Sequence, residues 1–383
     1  RAGLCIGFRL DADFSAMTVY LDWNATNPPR AVALAAWASA QRDAWANPAS
    51  IHRPGQLARA ALDAALASCA QSLGCLADEL VVTSGGSEAL AMVIRGALVT
   101  GGLALAAPID HSAVLRNIPE ERLRWLSIDP DGRIDPASIH GDDVRLVCIQ
   151  GANNEVGTLQ DIPRIAAAAR AVCPTAVLLL DACQLAGKEP MRLADFGVDA
   201  AAIAGHKFGA PTGVGLLWLR RGVRVPPLIA GGRQQQDRRS GTEDAAMASA
   251  LSAALVEAVA ALPSERPRQA ALLEACWQCI SVLLPEACRL AAGAPRIANT
   301  LGLIHPDVDN RHLAVRLDLA GFAVSTGAAC MAARGESSHV VRALGVSDDL
   351  ARSFIRVSIG RTTTAEELEQ FAVAYAAAVK ALL

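Results

Sequence analysis

Short apolar runs alternate with helical segments through most of the 383-residue chain. The runs are rich in Leu, Val, Ile and Ala and too short for helices, which is typical of strands buried in a parallel sheet. They lie at Leu80–Thr83, Leu103–Ala107, Arg122–Ile128, Val144–Ile149, Val177–Leu180, Ala200–Ala204 and Val214–Leu219. Helical runs such as Pro163–Val172 separate several of them. This alternation predicts an α/β domain with a mostly parallel central sheet.

The pattern of apolar and polar residues changes after a polar loop at Gly231–Thr242. Two long alanine-rich helices are expected at Glu243–Leu262 and Arg268–Leu284. Further strands and a closing helix are expected at Thr300–Ile304, Phe322–Ser325, Phe354–Ser358 and Thr364–Leu383. The pattern predicts a large domain over 17–255, whose N-terminal arm is able to pack with the small domain, and a smaller α/β domain over 256–383. The sequence of residues 1–16 looks unlike the segments that follow it. These residues are interpreted as an upstream extension, or else as a short N-terminal arm.

Composition argues against several classes of protein. Charged residues make up 19% and the net charge is −3, whereas a nucleic-acid-binding protein shows a basic stripe. The apolar windows at Ala97–Ile109 and near 245–262, where Glu257 interrupts, are expected to be too short for a membrane span. The ten cysteines have no disulfide rhythm and no signal-peptide pattern is visible, which predicts a reducing, cytoplasmic setting. Cys276 and Cys279 lie in a helical apolar run, which favours core thiols over a metal site.

Lysine is scarce, because only Lys188, Lys207 and Lys380 stand among 35 basic residues. Lys207 lies between an apolar strand and a glycine-rich turn. In such a semi-buried setting desolvation lowers the pKa of the amine, as a lysine that bonds covalently to a carbonyl requires. Lys188 is expected in a polar turn and Lys380 in the last helix, so both are weaker candidates. Considered alone, Lys207 is equally compatible with an exposed loop lysine.

Two predicted strand ends carry groups suited to a cofactor. Asp181 follows the strand Val177–Leu180, at the sheet edge where α/β proteins bind ligands, and its carboxylate is able to hold the protonated nitrogen of a pyridine ring. An ordinary helix N-cap is the alternative. The turn Ser84-Gly85-Gly86-Ser87 joins a strand to a helix and is suited to cradle a phosphate, with the Ser87 hydroxyl adding a donor. Neither G-x-G-x-x-G nor G-x-x-x-x-G-K-[ST] occurs.

Cys330 lies among small residues after the predicted strand Phe322–Ser325. An accessible thiol in such a segment is able to act as a nucleophile. The alternative is one more buried thiol among ten.

These pieces together resemble the cysteine desulfurases, pyridoxal phosphate (PLP) enzymes of the class-V aminotransferase group. The matching segments are Tyr20–Thr26, Asn47–His52 with Gly55, Thr83–Ala89, Asp110-His111, Asn153–Gly157, Asp181–Gln184, Gly205–Lys207, Gly231-Gly232, Arg239–Glu243, the Cys330 segment with Ser338–Val340, and Arg356–Gly360. Each is common alone, but chance is a poor explanation for all of them in order. The resemblance implies PLP fold type I, with a large domain, a smaller C-terminal domain and a homodimer.

The resemblance implies a role for each matched residue around the cofactor. Lys207 would bind PLP covalently and later move the Cα proton of the substrate, Asp181 would pair with the pyridine nitrogen, and His111 would stack on the ring and shuttle protons. The other implied contacts are Asn154 and Gln184 on the oxygen side of the ring, and Gly86, Ser87, His206 and the partner subunit's Thr242 at the phosphate.

The resemblance also implies how L-cysteine is used. Arg356, with Asn154, would hold the substrate carboxylate. Cys330 would attack the substrate sulfur, which leaves alanine and a Cys330 persulfide for an acceptor or scaffold protein in iron–sulfur or other sulfur-cofactor assembly. No resident metal is expected, although Cys330 could touch a cluster in transfer.

One departure from the family concerns the phosphate. Ala204 stands where the family usually has a serine that donates to it, so one hydrogen bond to a charged acceptor is lost, nominally ~1.5–3 kcal/mol. Two other functions are kept. One is a selenocysteine lyase or other class-V PLP enzyme that does not need Cys330, and the other, which Ala204 motivates, is an inactive homologue that acts as a binding partner.

Overall fold

The computed structural model describes residues 18–327 and 337–383. In chain order its strands and helices are β1 (Val19–Tyr20), α1 (Ala31–Asp43), α2 (Arg53–Leu73), β2 (Leu80–Thr83), α3 (Gly86–Ala97), β3 (Leu103–Ala106), α4 (Ser112–Leu115), β4 (Leu123–Trp125), β5 (Val144–Gln150), α5 (Ile162–Val172), β6 (Val177–Asp181), β7 (Ala200–Ala204), β8 (Gly215–Leu219), α6 (Gln234–Asp237), α7 (Ala245–Leu283), β9 (Cys288–Arg289), β10 (Thr300–Ile304), α8 (Asn310–Leu319), β11 (Phe322–Ala323), α9 (His339–Ala343), α10 (Asp348–Ala351), β12 (Ile355–Ser358) and α11 (Ala365–Lys380). The strand at Arg122–Ile128 is shorter than predicted, and the other bounds differ by a few residues.

The large sheet has seven strands in the order β2-β8-β7-β6-β5-β3-β4. The pairs from β7 to β4 are parallel, and β8 runs antiparallel to both of its neighbours. The α/β prediction with a mostly parallel sheet is therefore confirmed. Because parallel strands run in one direction, the ends of β5, β6 and β7 meet at a single edge of the sheet.

Both faces of this sheet are covered. Leu178 and Leu180 of β6 pack into one apolar cluster and Leu179 packs into the cluster on the opposite face. Side chains of a strand alternate between faces, so burial on both explains why β6 reads as an unbroken apolar run.

Helix α7 differs from the sequence prediction, which divided it into Glu243–Leu262 and Arg268–Leu284. It is one helix of 39 residues with Pro263 and Pro267 inside it. A proline inside a helix is unfavourable by about 3 kcal/mol. Burial outweighs that penalty, because Ala250–Ala258 packs in the core of the large sheet and Leu273, Cys276 and Ile280 pack in a second core.

The apolar run of α7 is also longer than expected. Among the described residues α7 is the one helix long and apolar enough to cross a membrane by length and composition. Glu257 therefore does not interrupt the run as predicted. The most apolar window is 56% buried inside the fold, and a buried core helix passes the same test of length and composition.

A second, three-stranded antiparallel sheet has the order β9-β10-β12. Beside it, β1 pairs with β11 in parallel, and Asp22 forms a bridge with Ser358. The chain after β1 then turns towards the large sheet, because the N–H of Asn27 donates to the carbonyl of His206 at 2.9 Å. Residues 22–27 thus lie between the two sheets. The domain boundary at 255/256 remains a prediction, and α7 runs through it.

Candidate active site

One cavity of about 140 Å³ opens at the edge where β6 and β7 end and α3 begins. Eight of the predicted site residues line it: Gly86, Ser87, His111, Asn154, Asp181, Gln184, His206 and Lys207. They come from five separate stretches of the chain, so the tertiary fold brings them together.

The start of α3 forms one end of the cavity. The first N–H groups of a helix have no partner within it and lie at the positive end of its dipole, which suits an anion. A Cβ at Gly86 would collide with the Sγ of Cys183, so glycine is required here. His206 adds a neutral imidazole, since burial is the largest cause that lowers its pKa to about 4. This end fits a phosphate.

The floor of the cavity carries an acid and an imidazole. Asp181 ends β6, is 7% exposed, and accepts the N–H of Cys183 at 3.0 Å through Oδ1. Burial lowers the pKa of His111, which favours a neutral ring. Its Nδ1 accepts the N–H of Ala113 at 3.1 Å, so in the neutral ring the proton is on Nε2. A carboxylate and a neutral imidazole at this position fit a pyridinium ring.

Lys207 ends the turn that follows β7. Its Nζ donates to the carbonyls of Asn24 at 2.7 Å and Ala25 at 2.9 Å, with no carboxylate among these partners. Burial is the largest cause that lowers the pKa of this amine. An amine with a lowered pKa is uncharged more of the time, and is then able to bond to a carbonyl carbon or to accept a proton.

Arg356 lies in β12, beside the cavity rather than in its lining. It is 3% exposed, and its guanidinium donates to the carbonyl of Asn154 at 3.0 Å and to the carboxylate of Asp22. The second sheet thus supplies a buried cation next to a residue of the cavity. A guanidinium held at two points is suited to bind a carboxylate in a fixed orientation.

We expect Asp22→Asn to raise the KM for an amino-acid substrate about tenfold, roughly 1.4 kcal/mol, with a smaller effect on kcat. Asp22 holds Arg356 from the side, and an amide holds a guanidinium less firmly than a carboxylate does. Steady-state kinetics measure the split. Asp78→Asn, at the exposed pair with Arg221, is the control and should leave KM unchanged. A lower KM in Asp22→Asn would instead show that Asp22 competes with the substrate.

Among the described residues, Thr242 is the predicted site residue that lies away from this cavity. Thr242 is exposed in a loop of its own chain, outside the cavity lining. Cys330 lies outside the described residues. Described residues on either side of that gap lie near Glu155. Before the gap, Gly327 is close to Glu155, because a Cβ added to Gly327 would lie 3.4 Å from Oε2 of Glu155. After the gap, the Ser338 hydroxyl donates to the Glu155 carboxylate at 2.5 Å.

Asn24, which has no role predicted from the sequence, lies at the centre of the site. Asn24 is 1% exposed. Its backbone and side chain make hydrogen bonds to Asn154, Gln184, Lys188, Lys207, Asn299, Thr300 and Ser358. The expectation that Lys188 lies in a polar turn was incomplete, because its amine points inward to Asn24. Position within the matched segment Tyr20–Thr26 was the available signal for Asn24.

Ala204 lies in the cavity lining and is 4% exposed. We expect Ala204→Ser to tighten PLP binding about tenfold, because its hydroxyl would add a hydrogen bond to the phosphate. Equilibrium dialysis of PLP measures the change. Ala204→Val is the matched control, since it adds bulk without a donor and should weaken binding. Unchanged affinity in Ala204→Ser would show that another group already supplies this donor.

Comparisons with known proteins agree with the fold. The Aminotransferase class-V family matches residues 19–371. A cysteine desulfurase IscS from Dictyoglomus turgidum is 33% identical over 91% of each chain. Among solved structures, a NifS-like protein superposes with a TM-score of 0.87 at 27% identity, covering 96% of this chain and 100% of that one. SspA in complex with cysteine superposes with a TM-score of 0.77 at 26% identity, covering 89% and 99%.

The fold and the cavity are those of a class-V aminotransferase, a PLP-dependent class of protein. Identity above 30% over nine-tenths of the chain is shared with named cysteine desulfurases. The chain therefore belongs to the class-V aminotransferase family and, within it, to the cysteine desulfurases.

The residues of the cavity fit PLP. The start of α3 and His206 would hold the phosphate, Asp181 the ring nitrogen, and the Lys207 amine the aldehyde carbon. When bound, PLP supplies an electron sink for the carbon next to the substrate amine.

Proposed function

We propose that the protein is a cysteine desulfurase, which takes the sulfur of L-cysteine and releases L-alanine. The observation that carries the proposal is the single cavity where the inward amine of Lys207 meets Asp181 and the start of α3. Arg356 is a buried cation beside this cavity and would bind the substrate carboxylate.

Two groups of this chain would move protons during the reaction. Lys207 Nζ would take the proton from the Cα of the substrate, which its lowered pKa allows, and would return a proton to the product carbon. His111 carries its proton on Nε2 and would exchange it within the cavity.

The sulfur step belongs to Cys330. Its thiolate would attack the substrate sulfur, so that an S–S bond forms and the bond from Cβ to sulfur breaks. The electron pair of the broken bond would stay with the carbon fragment, which leaves as alanine after protonation. The persulfide would then pass to an acceptor or scaffold protein that supplies iron–sulfur clusters or other sulfur-containing cofactors.

The test is an assay of the purified protein loaded with PLP. Incubation with L-cysteine and a thiol reductant should release alanine and sulfide in a 1:1 ratio. L-alanine alone as the added amino acid should release no sulfide. Absence of alanine from a protein that holds PLP would overturn the proposal.

We also propose that the protein acts as a homodimer, with the partner's Thr242 at the phosphate. Large apolar side chains support this proposal, because Trp45 is 70% and Ile51 91% exposed, in the segment that joins α1 to α2. Exposed apolar side chains of this size favour a protein interface when they cluster. Sedimentation of Ile51→Asp against the wild-type protein tests it, and a wild-type protein that sediments as a monomer would overturn it.

We propose a reducing, cytoplasmic setting. The eight cysteines within residues 18–327 and 337–383 are all unpaired, which is usual for a protein kept reduced. Imaging of cells that express a fluorescent fusion would test the location.

A further inference from the structure

Lys188 lies in the turn after β6, and its amine points into the protein. Its Nζ donates to Oδ1 of Asn24 at 2.7 Å and to Oε1 of Gln184. Both acceptors are buried, with Asn24 1% and Gln184 5% exposed. The two partners are neutral amides, so Lys188 has no carboxylate in this arrangement. A structural lysine on a protein surface would normally pair with an acid or with water.

The charges around this amine disfavour an ammonium. Lys207, in the turn after β7, and Arg356, in β12, both repel a positive charge at Lys188. His206 also faces it and is itself disfavoured as a cation. The carboxylate next in the chain, Glu189, is paired with Arg266. Burial, followed by these like charges, lowers the pKa of Lys188 well below its usual range. A neutral amine has two N–H donors, which matches its two acceptors.

The amine helps to orient two amides, together with the Asn299 NH₂, which donates to the same Oδ1 of Asn24 at 3.1 Å. Because Oε1 of Gln184 and Oδ1 of Asn24 face Lys188, their NH₂ groups face the other way. The Gln184 NH₂ donates to the carbonyl of Asn24 at 3.0 Å, and the Asn24 NH₂ donates to Thr300 Oγ1 at 2.7 Å. Gln184 lines the cavity. The same Asn24 carbonyl accepts from Lys207, so Gln184 and Lys207 both donate to one oxygen of Asn24.

We propose that Lys188 is a positioning residue of the active site, whose amine fixes the amides of Gln184 and Asn24 and through them the place of Lys207. This goes beyond the roles implied for Lys207, Gln184 and Arg356, and it depends on the proposed function only for its kinetic readout. Arginine cannot replace this lysine, because a guanidinium keeps its proton and would remain charged beside Lys207 and Arg356. The chain has 32 arginines and three lysines, and two of those lysines share this site.

The experiment compares Lys188→Met, Lys188→Arg and Lys188→Gln in the PLP-loaded protein, with Lys380→Met as control for an exposed lysine. Lys188→Met should weaken PLP binding about tenfold and lower kcat more than it raises KM for cysteine. Lys188→Gln keeps an NH₂ donor and should recover part of the loss. Lys188→Arg should be the most damaged of the three. Lys380→Met should behave like the wild-type protein.

A second readout does not depend on catalysis. The folded protein holds Lys188 with a lowered pKa, whereas the unfolded chain has the usual pKa of about 10.4, so unfolding takes up a proton between those two values. The free energy of unfolding therefore rises with pH in that window, and the unfolding constant falls by up to about tenfold per pH unit. Lys188→Met lacks this pH dependence. The melting temperature of the wild-type protein should therefore rise relative to that of Lys188→Met as the pH rises towards the usual lysine pKa, and it should not rise relative to that of Lys380→Met.

The outcomes separate the two proposals. If Lys188→Met binds PLP within twofold of the wild-type affinity and its melting temperature follows the wild-type pH trend, the positioning role is overturned. If the melting-temperature differences follow the expected trend but the wild-type protein releases no alanine from cysteine, the proposed function fails and the positioning role stands. If Lys188→Met does not fold, Lys188→Gln against Lys188→Arg gives the same comparison, and equal PLP affinity in those two variants would overturn the role.

Discussion

Lys207→Ala should remove alanine formation from cysteine, by roughly 10⁴-fold or more, and should remove the absorbance band near ~420 nm of covalently bound PLP. Lys207 is the one lysine among the cavity-lining residues, and its Nζ is held by the carbonyls of Asn24 and Ala25. The effect is large because one amine both bonds to the cofactor and moves the substrate proton.

Two controls belong with this prediction. Lys207→Arg should fail like Lys207→Ala, because a guanidinium does not form the covalent bond to the cofactor. Lys380→Ala should keep both the band and the activity, since Lys380 is exposed in α11. A ~420 nm band that persists in Lys207→Ala would mean that another amine binds PLP and would contradict the assignment.

Cys330→Ser should abolish release of sulfide and formation of a protein persulfide from cysteine, while it leaves the PLP absorbance band in place. A hydroxyl is a far weaker nucleophile towards sulfur than a thiolate. Cys183, a thiol that lines the cavity, is not expected to replace Cys330 in this role. Burial and Asp181 raise the pKa of Cys183 well above its usual range, so it has little thiolate character at neutral pH.

Cys288→Ser is the matched control, because Cys288 is the exposed cysteine among the described residues. It should form persulfide and alanine at the wild-type rate. Alanine formation at the wild-type rate in Cys330→Ser would contradict the desulfurase mechanism. That result would favour a selenocysteine lyase or another class-V PLP enzyme instead.

The α/β fold was predictable because β6 and its neighbours are buried on both faces, and double burial makes a strand apolar throughout. The capping box of α11 was predictable for a local reason, since Thr364 and Glu367 satisfy each other's backbone N–H groups. The single helix α7 was not predictable in the same way. Pro263 and Pro267 favour a break locally, and only packing against two separate cores keeps the helix continuous.

Some residues of the candidate site were predictable from the sequence and others were not. Lys207, Asp181 and the turn at Gly86 were predictable, because each directly follows a strand whose end is visible in the sequence. The roles of Asp22, Asn24 and Lys188 were not predictable. Each of these residues contacts groups more than 100 residues away in the chain, and the amine of Lys188 also turns inward on a flexible side chain. The spacing of apolar residues along the chain carries no information about long-range contacts or about the direction of a flexible side chain.

The sequence by itself determined the fold class, the strand ends and the small set of amines available for chemistry, because local apolar patterning and residue identity decide those features. Only the tertiary structure decided which groups meet: the Asn24 hub between the two sheets, the buried guanidinium of Arg356, and the inward amine of Lys188. The physical reason is that pKa values and hydrogen-bond partners depend on burial and on neighbours in space. The sequence singled out Lys207 among the three lysines, and the structure adds Lys188 to the same site and leaves Lys380 on the surface.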